Sequence, residues 1–148
     1  MSDYGRRIVV DLGFAAAVDE LNRAIRAEGL QVLMQIDVRD QFGRELGRDF
    51  RHYVVIEAWS PDLALEALRH NLDIATILPT TFATYELADG ETAVVVKRPL
   101  APIADEYQWR RDAPALAAIA DRETDRVARA LDRLQHASSH KAPGSPAA

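Results

Sequence analysis

Apolar and polar positions alternate along this chain in two periods, and the switch between them marks out the elements. RRIVVDLG, residues 6–13, is a short β-branched run that predicts a first strand. Phe14, Val18, Leu21 and Ile25 then recur at spacings of four, three and four, which aligns them on one face of a helix. Gly29 stands where a left-handed terminal residue would end that helix. LQVLMQIDV, residues 30–38, predicts a second strand with Val32, Met34, Ile36 and Val38 on one side. RDQFGRELGRDF keeps helical spacing only from Phe42 to Leu46 and holds two glycines, so a short helix or turn is expected. RHYVVIEAW predicts a third strand. Ser60 suits an N-cap and Pro61 a first helical turn, so a helix is expected from Pro61 to about His70, closed by Asn71.

ATILPTTFATYE, residues 75–86, is rich in β-branched and aromatic residues but contains Pro79. A proline gives a sheet no N–H, so Pro79 is expected at the start of a strand that lies at an edge or a bulge. ETAVVVKRP supplies the last strand, joined to the previous one through the hairpin signal ADG. Pro99 and Pro102 end the sheet region, and a linker holding Tyr107 and Trp109 follows. Asp112 is placed to cap a long helix with Pro114 in its first turn. Within it Ala120, Thr124, Val127, Leu131 and Leu134 form a seam, and Asp125 and Arg129 an i,i+4 pair. The tail ASSHKAPGSPAA has nothing to bury and is expected to be disordered.

This order, β-α-β-β-α-β-β-α with a short helix after the second strand, predicts a two-layer α+β fold. Helices would pack on one face of a largely antiparallel sheet. One domain over 1–136 and a tail over 137–148 are expected; the order of the strands is not readable.

A chain of 148 residues is long enough to bury a core without staples. It has no cysteine, which removes disulfides, thiolate metal sites and thiol nucleophiles. The net charge of −5 argues against a general nucleic-acid binder. No stretch approaches the roughly 20 apolar residues of a membrane span, so a cytoplasmic protein without membrane contact is expected. Arginine outnumbers lysine sixteen to two, a bias that carries no functional weight.

Residues 28–99 resemble the bacterial and archaeal family known as domain of unknown function 302. The resemblance lies in the helix ending at Gly29, IDV, the Gly47 turn, the strand of Tyr53, the SPDLALEAL helix, and ILP before a final hairpin. It implies a curved antiparallel sheet under helices, similar to the TATA-binding-protein-like arrangement and often paired into homodimers, and it supplies no activity. Many members carry cysteine before the helix proline and again directly after Leu-Pro. Trp59 and Thr80 stand at those positions here, so thiol chemistry does not carry over.

Candidate chemistry is sparse. His52, His70, His136 and His140 lack metal-ligand spacing, and neither a metal nor a cofactor is expected. Arg44, Arg48 and Arg51 could clamp an anion, but Glu45 and Asp49 are interleaved with them, and the solvated-turn reading is preferred. Glu57 is the carboxylate that stands out, in the strand between Ile56 and Ala58. No Ser-His-Asp set can be nominated, so no catalytic residue is assigned. Tyr53, Trp59, Phe82 and Tyr85 lie on the sheet, with Tyr53 and Trp59 expected on opposite sides of one strand. With the hydroxyls of Thr80, Thr81 and Thr84 they could line an apolar pocket.

The reading that follows is a non-enzymatic, homo-oligomeric module, a dimer, that binds a small apolar or amphipathic ligand or a protein partner. The alternative is an enzyme of unrecognised type using Glu57, His52 and the arginine cluster in one cleft. A third reading makes the C-terminal helix a docking arm for another protein.

Overall fold

The computed structural model describes residues 4–140. Strand β1 (Gly5–Val10) leads into α1 (Phe14–Ala27), β2 (Gln31–Asp37), α2 (Val38–Leu46), β3 (Tyr53–Trp59) and α3 (Pro61–His70). After a single-turn helix over Leu72–Thr76 come β4 (Thr80–Glu86) and β5 (Thr92–Lys97). The chain closes with α4 (Leu100–Glu106), α5 (Trp109–Asp112) and α6 (Pro114–Ser139). The five strands form one antiparallel sheet in the order β1-β5-β4-β3-β2, with helices packed on it, so the expected α+β class holds.

Local chemistry explains the helix ends. Gly29 adopts φ 81° after α1, a left-handed conformation that costs glycine least. Asp37 accepts a hydrogen bond of 2.9 Å from the Asp40 amide and starts α2, and Gly47 at φ 60° stops it. Helix α3 runs from Pro61 to His70, as its sequence predicts.

Several expectations are corrected. β4 is the central strand, so Pro79 marks neither an edge nor a bulge; it sits just before Thr80, where its missing N–H breaks no ladder. The bulge lies in β2, between Val32 and Met34. The extra residue turns Val32 to the helix side, while Met34 and Ile36 pair with Glu57 and Val55 on the other, and Val38 belongs to α2. Tyr53 and Trp59 share a face, because six residues of unbroken strand return the side chain to the same side. The linker after Pro99 is largely helical, with Pro102 inside the first turn of α4. Asp112 does not cap α6: Ala113 precedes its first turn, and the Asp112 carboxylate receives Arg111. Arg129 pairs with Glu28 rather than Asp125. Helix α6 continues through Ser139, three residues past its expected end; residues 141–148 of the expected tail lie outside the described residues.

The core consists of two apolar clusters. The first sets Leu21 and Ile25 of α1 and Val127, Leu131 and Leu134 of α6 against Val54, Ile56, Phe82, Val94 and Val96 of the sheet. The second joins Leu63 and Ala67 of α3, Ile74, Leu78, Leu100 and Ala104 to Leu116, Ile119 and Ala120 at the start of α6. The seam of α6 is therefore spent within the chain: Leu131 and Leu134 are fully buried, each contributing about 1.5–3 kcal/mol of apolar burial. This removes the basis for reading the helix as a docking arm.

Candidate functional site

Alternation along the strands divides the sheet sharply. In β3 every second residue, Val54, Ile56 and Ala58, is buried under helices, and Tyr53, Val55, Glu57 and Trp59 on the other face are half-buried. The same face carries Arg7 and Val9 from β1, Ala83 and Tyr85 from β4, Val95 from β5, and Met34 and Ile36 from β2. Val9 is 41% exposed and Met34 47%, large values for apolar residues on a sheet face.

Two features give this face chemical character. At one end Tyr53 and Tyr85, paired directly across β3 and β4, stack with ring centres 5.3 Å apart and planes 13° from parallel. Phe50 packs on Tyr53 at 6.2 Å and Phe42 of α2 on Phe50 at 5.3 Å, so four rings run in a row. The Arg7 Nε donates to the Tyr85 hydroxyl at 3.4 Å. At the other end the register aligns Glu57, Thr81 and Lys97 across three strands. Thr81 donates to Glu57 at 2.5 Å, and the Lys97 Nζ donates to the carbonyls of Ile77 and Pro79 at 3.0 and 2.8 Å. Burial pushes the Lys97 ammonium down and the Glu57 carboxylate acts against that shift. Gly5 ends the row on β1; a Cβ there would overlap the Val96 carbonyl, so the strands approach too closely for any side chain.

Of the aromatic and threonine residues proposed for a pocket, Tyr53 and Tyr85 come together, Thr84 is buried on the helix side, and Thr81 sits beside Glu57 at the other end of their face. Trp59 lies on the same face but at the far end of β3, packed beside the second apolar cluster. Phe82 and Thr80 point to the helix side, where Phe82 is wholly buried. Phe42 and Phe50 were invisible as partners in the sequence, because a loop and a helix bring them to the strand.

The arginine cluster is divided as well. Arg44 and Arg48 line a groove of about 380 Å³ with Arg39 and His52, opposite Asp37, Asp40 and Asp49. Arg44 pairs with Asp40 at 2.9 Å and Arg39 with Asp49 at 3.4 Å, which leaves little net field for an anion. Arg51 turns instead to the Glu86 carbonyl. His52 lies against Phe14 at the start of α1 and meets Arg39 through Nε2 at 2.9 Å. Alternation along β3 sets Glu57 on the opposite face of the sheet from this histidine, so the two do not share a cleft. Among the described residues no group of three or more histidines and carboxylates could hold a metal ion.

One further acid lay hidden in the α6 sequence. Glu123 is 4% exposed, and neither carboxylate oxygen has a hydrogen-bond partner. Burial pushes its carboxyl up; the Ser60 hydroxyl and amide, close by but outside hydrogen-bonding geometry, and the Arg126 charge act against that shift. Trp59 lines a small cavity on one side of it and Thr80 a second on the other.

An open antiparallel sheet with a helical layer and one apolar face half-exposed defines a small α+β protein. Residues 7–134 match the family described as Domain of unknown function DUF302, and the chain belongs to that family. The match takes in α1 and most of α6, well beyond the central segment that carries the resemblance in sequence. The chain is similar to the crystal structure of an uncharacterized conserved protein DUF302 from Bacillus stearothermophilus, with 26% identity and a TM-score of 0.72. That likeness covers 90% of this chain and 99% of the other. No protein of curated description matches it. No helix among the described residues is long and apolar enough to cross a membrane.

Proposed function

We propose that this protein is a non-enzymatic binding module that works as a homodimer, the half-exposed face of its sheet meeting the same face of a second copy. The observation that carries this reading is the register of that face. A two-fold axis along β4 lays β3 over the partner's β5 and β2 over the partner's β1. A large residue then opposes a small one: Met34 meets the partner's Gly5. Val55 meets the partner's Val95, and Glu57 meets the partner's Lys97. Sheets packed face to face lie about 10 Å apart and turn by about 30°, so these pairs fit within one side-chain layer. Removing this apolar surface from water supplies the driving force, at about 25 cal/mol per Å².

The test uses charge. Val55 and Val95 are two strands apart in one chain, roughly 10 Å, but opposed across the axis. Val55→Lys and Val95→Glu should each yield monomers by sedimentation velocity, and the double variant should dimerise again. A wild-type protein that stays monomeric well above micromolar concentration overturns the reading.

The aromatic row supports a second reading, in which the same face of a single copy takes a small amphipathic ligand. Four rings offer apolar contact and Arg7 a polar end. Anilinonaphthalene sulfonate is the probe: binding that is lost in Tyr53→Ala favours this reading, and no binding to the wild type excludes it.

A further inference from the structure

Glu123 belongs to neither of those surfaces. It projects from α6 toward the N-terminus of α3, between two cavities of about 10 Å³ each, and each cavity has room for about one water molecule. The first cavity is closed by Trp59, Leu63, Leu78 and Ile119 around the Ser60 hydroxyl, itself 1% exposed and without a hydrogen-bond partner. The second lies between Glu123, Thr80 and Lys97. Three buried oxygens without partners beside two water-sized spaces form a repeating defect, and buried polar groups are almost always satisfied by protein or by ordered water.

The charged groups around Glu123 are already committed. Arg126, one turn further along α6, holds both carboxylate oxygens of Asp62. Lys97 of β5 directs two hydrogen bonds to the carbonyls of Ile77 and Pro79. The Thr124 hydroxyl donates to Ala120 and accepts from Ala101. Helix α4 faces the second cavity with Leu100, and α3 faces the first with Leu63 and Ala64. No cation is spare to pair with an ionised carboxylate, and an unpaired buried charge is far costlier than a neutral carboxyl group.

We propose that Glu123 is a buried proton-binding site, hydrated by one water in each flanking cavity, whose ionisation loosens the second apolar cluster and leaves the first intact. The neutral carboxyl donates through one water and accepts through the other, which satisfies the Ser60 hydroxyl as well. Loss of the proton leaves a charge among Leu63, Ile119 and Leu100, and the cheapest relief is to admit solvent between α3, α4 and α6. The first cluster, between α1, the sheet and the distal half of α6, has no such group.

The sign of the effect follows. An acid held above its ordinary value of 4.5 in the folded state costs nothing at lower pH, and its penalty grows as pH rises through the folded value. Wild type and Glu123→Gln, compared as full chains, should therefore have Tm values that diverge as pH rises from 4.5 toward the raised folded value, with the wild type losing stability relative to the variant. Hydrogen exchange locates the change: protection of α3 and α4 amides, corrected for intrinsic rates, should fall in the wild type by roughly tenfold per unit of pH between the ordinary value of 4.5 and the folded value, and level off above it. The amides of α1, and those of β4 from Phe82 onward, should not follow. Parallel Tm curves for the two proteins overturn the proposal. Should Glu123→Gln fail to fold, the carboxyl carbon of Glu123 is followed by NMR in the wild type, and titration at the ordinary value overturns it equally. A crystal structure with both cavities empty overturns the hydration.

Discussion

Arg126 of α6 grips Asp62 in the first turn of α3 with two parallel hydrogen bonds, Nη1 to Oδ1 at 2.7 Å and Nη2 to Oδ2 at 2.8 Å. The pair joins two helices more than sixty residues apart in sequence. Arg126 is mostly buried and Asp62 about half exposed, so solvent screens the contact only from one side. The guanidinium holds the Asp62 carboxyl down to about 2, from an ordinary value of 3.8.

The stability contributed by this lowered carboxyl is fully present above pH 3.8 and is lost as pH falls through about 2. Asp62→Asn should cost about 1 kcal/mol or less near neutral pH once exposure is taken into account, and less still at high salt. Urea unfolding at neutral pH and again near pH 2 checks this: the gap between wild type and variant should shrink in acid. A gap that is constant with pH would show that the ion pair contributes nothing.

Helix α6 is part of the core, and its removal should show this directly. Deleting residues 113–148 exposes the surfaces that Leu116, Ile119, Leu131 and Leu134 cover. The truncated chain should aggregate or lose its cooperative thermal transition. A soluble truncation with native circular dichroism would restore the docking-arm reading.

Thr84 offers a gain. It sits on the helix side of the central strand opposite Val54 and Val94, is fully buried, and its hydroxyl has no hydrogen-bond partner. Thr84→Val keeps the shape and removes the unsatisfied group, so it should stabilise the protein by about 1 kcal/mol in denaturant unfolding. A loss of similar size would mean that the hydroxyl is satisfied by buried water.

Elements whose signal is local were legible in sequence. Ser60-Pro61 announced α3, Gly29 closed α1, and the alternation of YVVIEAW gave β3. Features that depend on pairing were not. The bulge after Val32 leaves no mark on composition, and the central position of β4 follows from which strands meet, so Pro79 misled toward an edge. The candidate site divides the same way: Tyr53 and Tyr85 were identifiable as strand aromatics, but their stacking depends on register. Glu123 was unreadable, since ADRETDRVARALDR shows many acids at helical spacing and only the packing of α3 and α4 singles out one.

The placement of β1 bears on how the chain is made. Of the described strands it leaves the ribosome before the others, yet among them its only neighbour in the sheet is β5, which follows all the rest in sequence. Until Thr92–Lys97 has emerged, the nascent chain can assemble β2, β3 and β4 as a meander, while Ile8 and Val10 stay without the pairing that buries them. Such long-range pairing is slow to form and leaves a sticky segment waiting during translation. The arginines at positions 6 and 7, next to that segment, give the unpaired strand charge to resist association before its partner arrives.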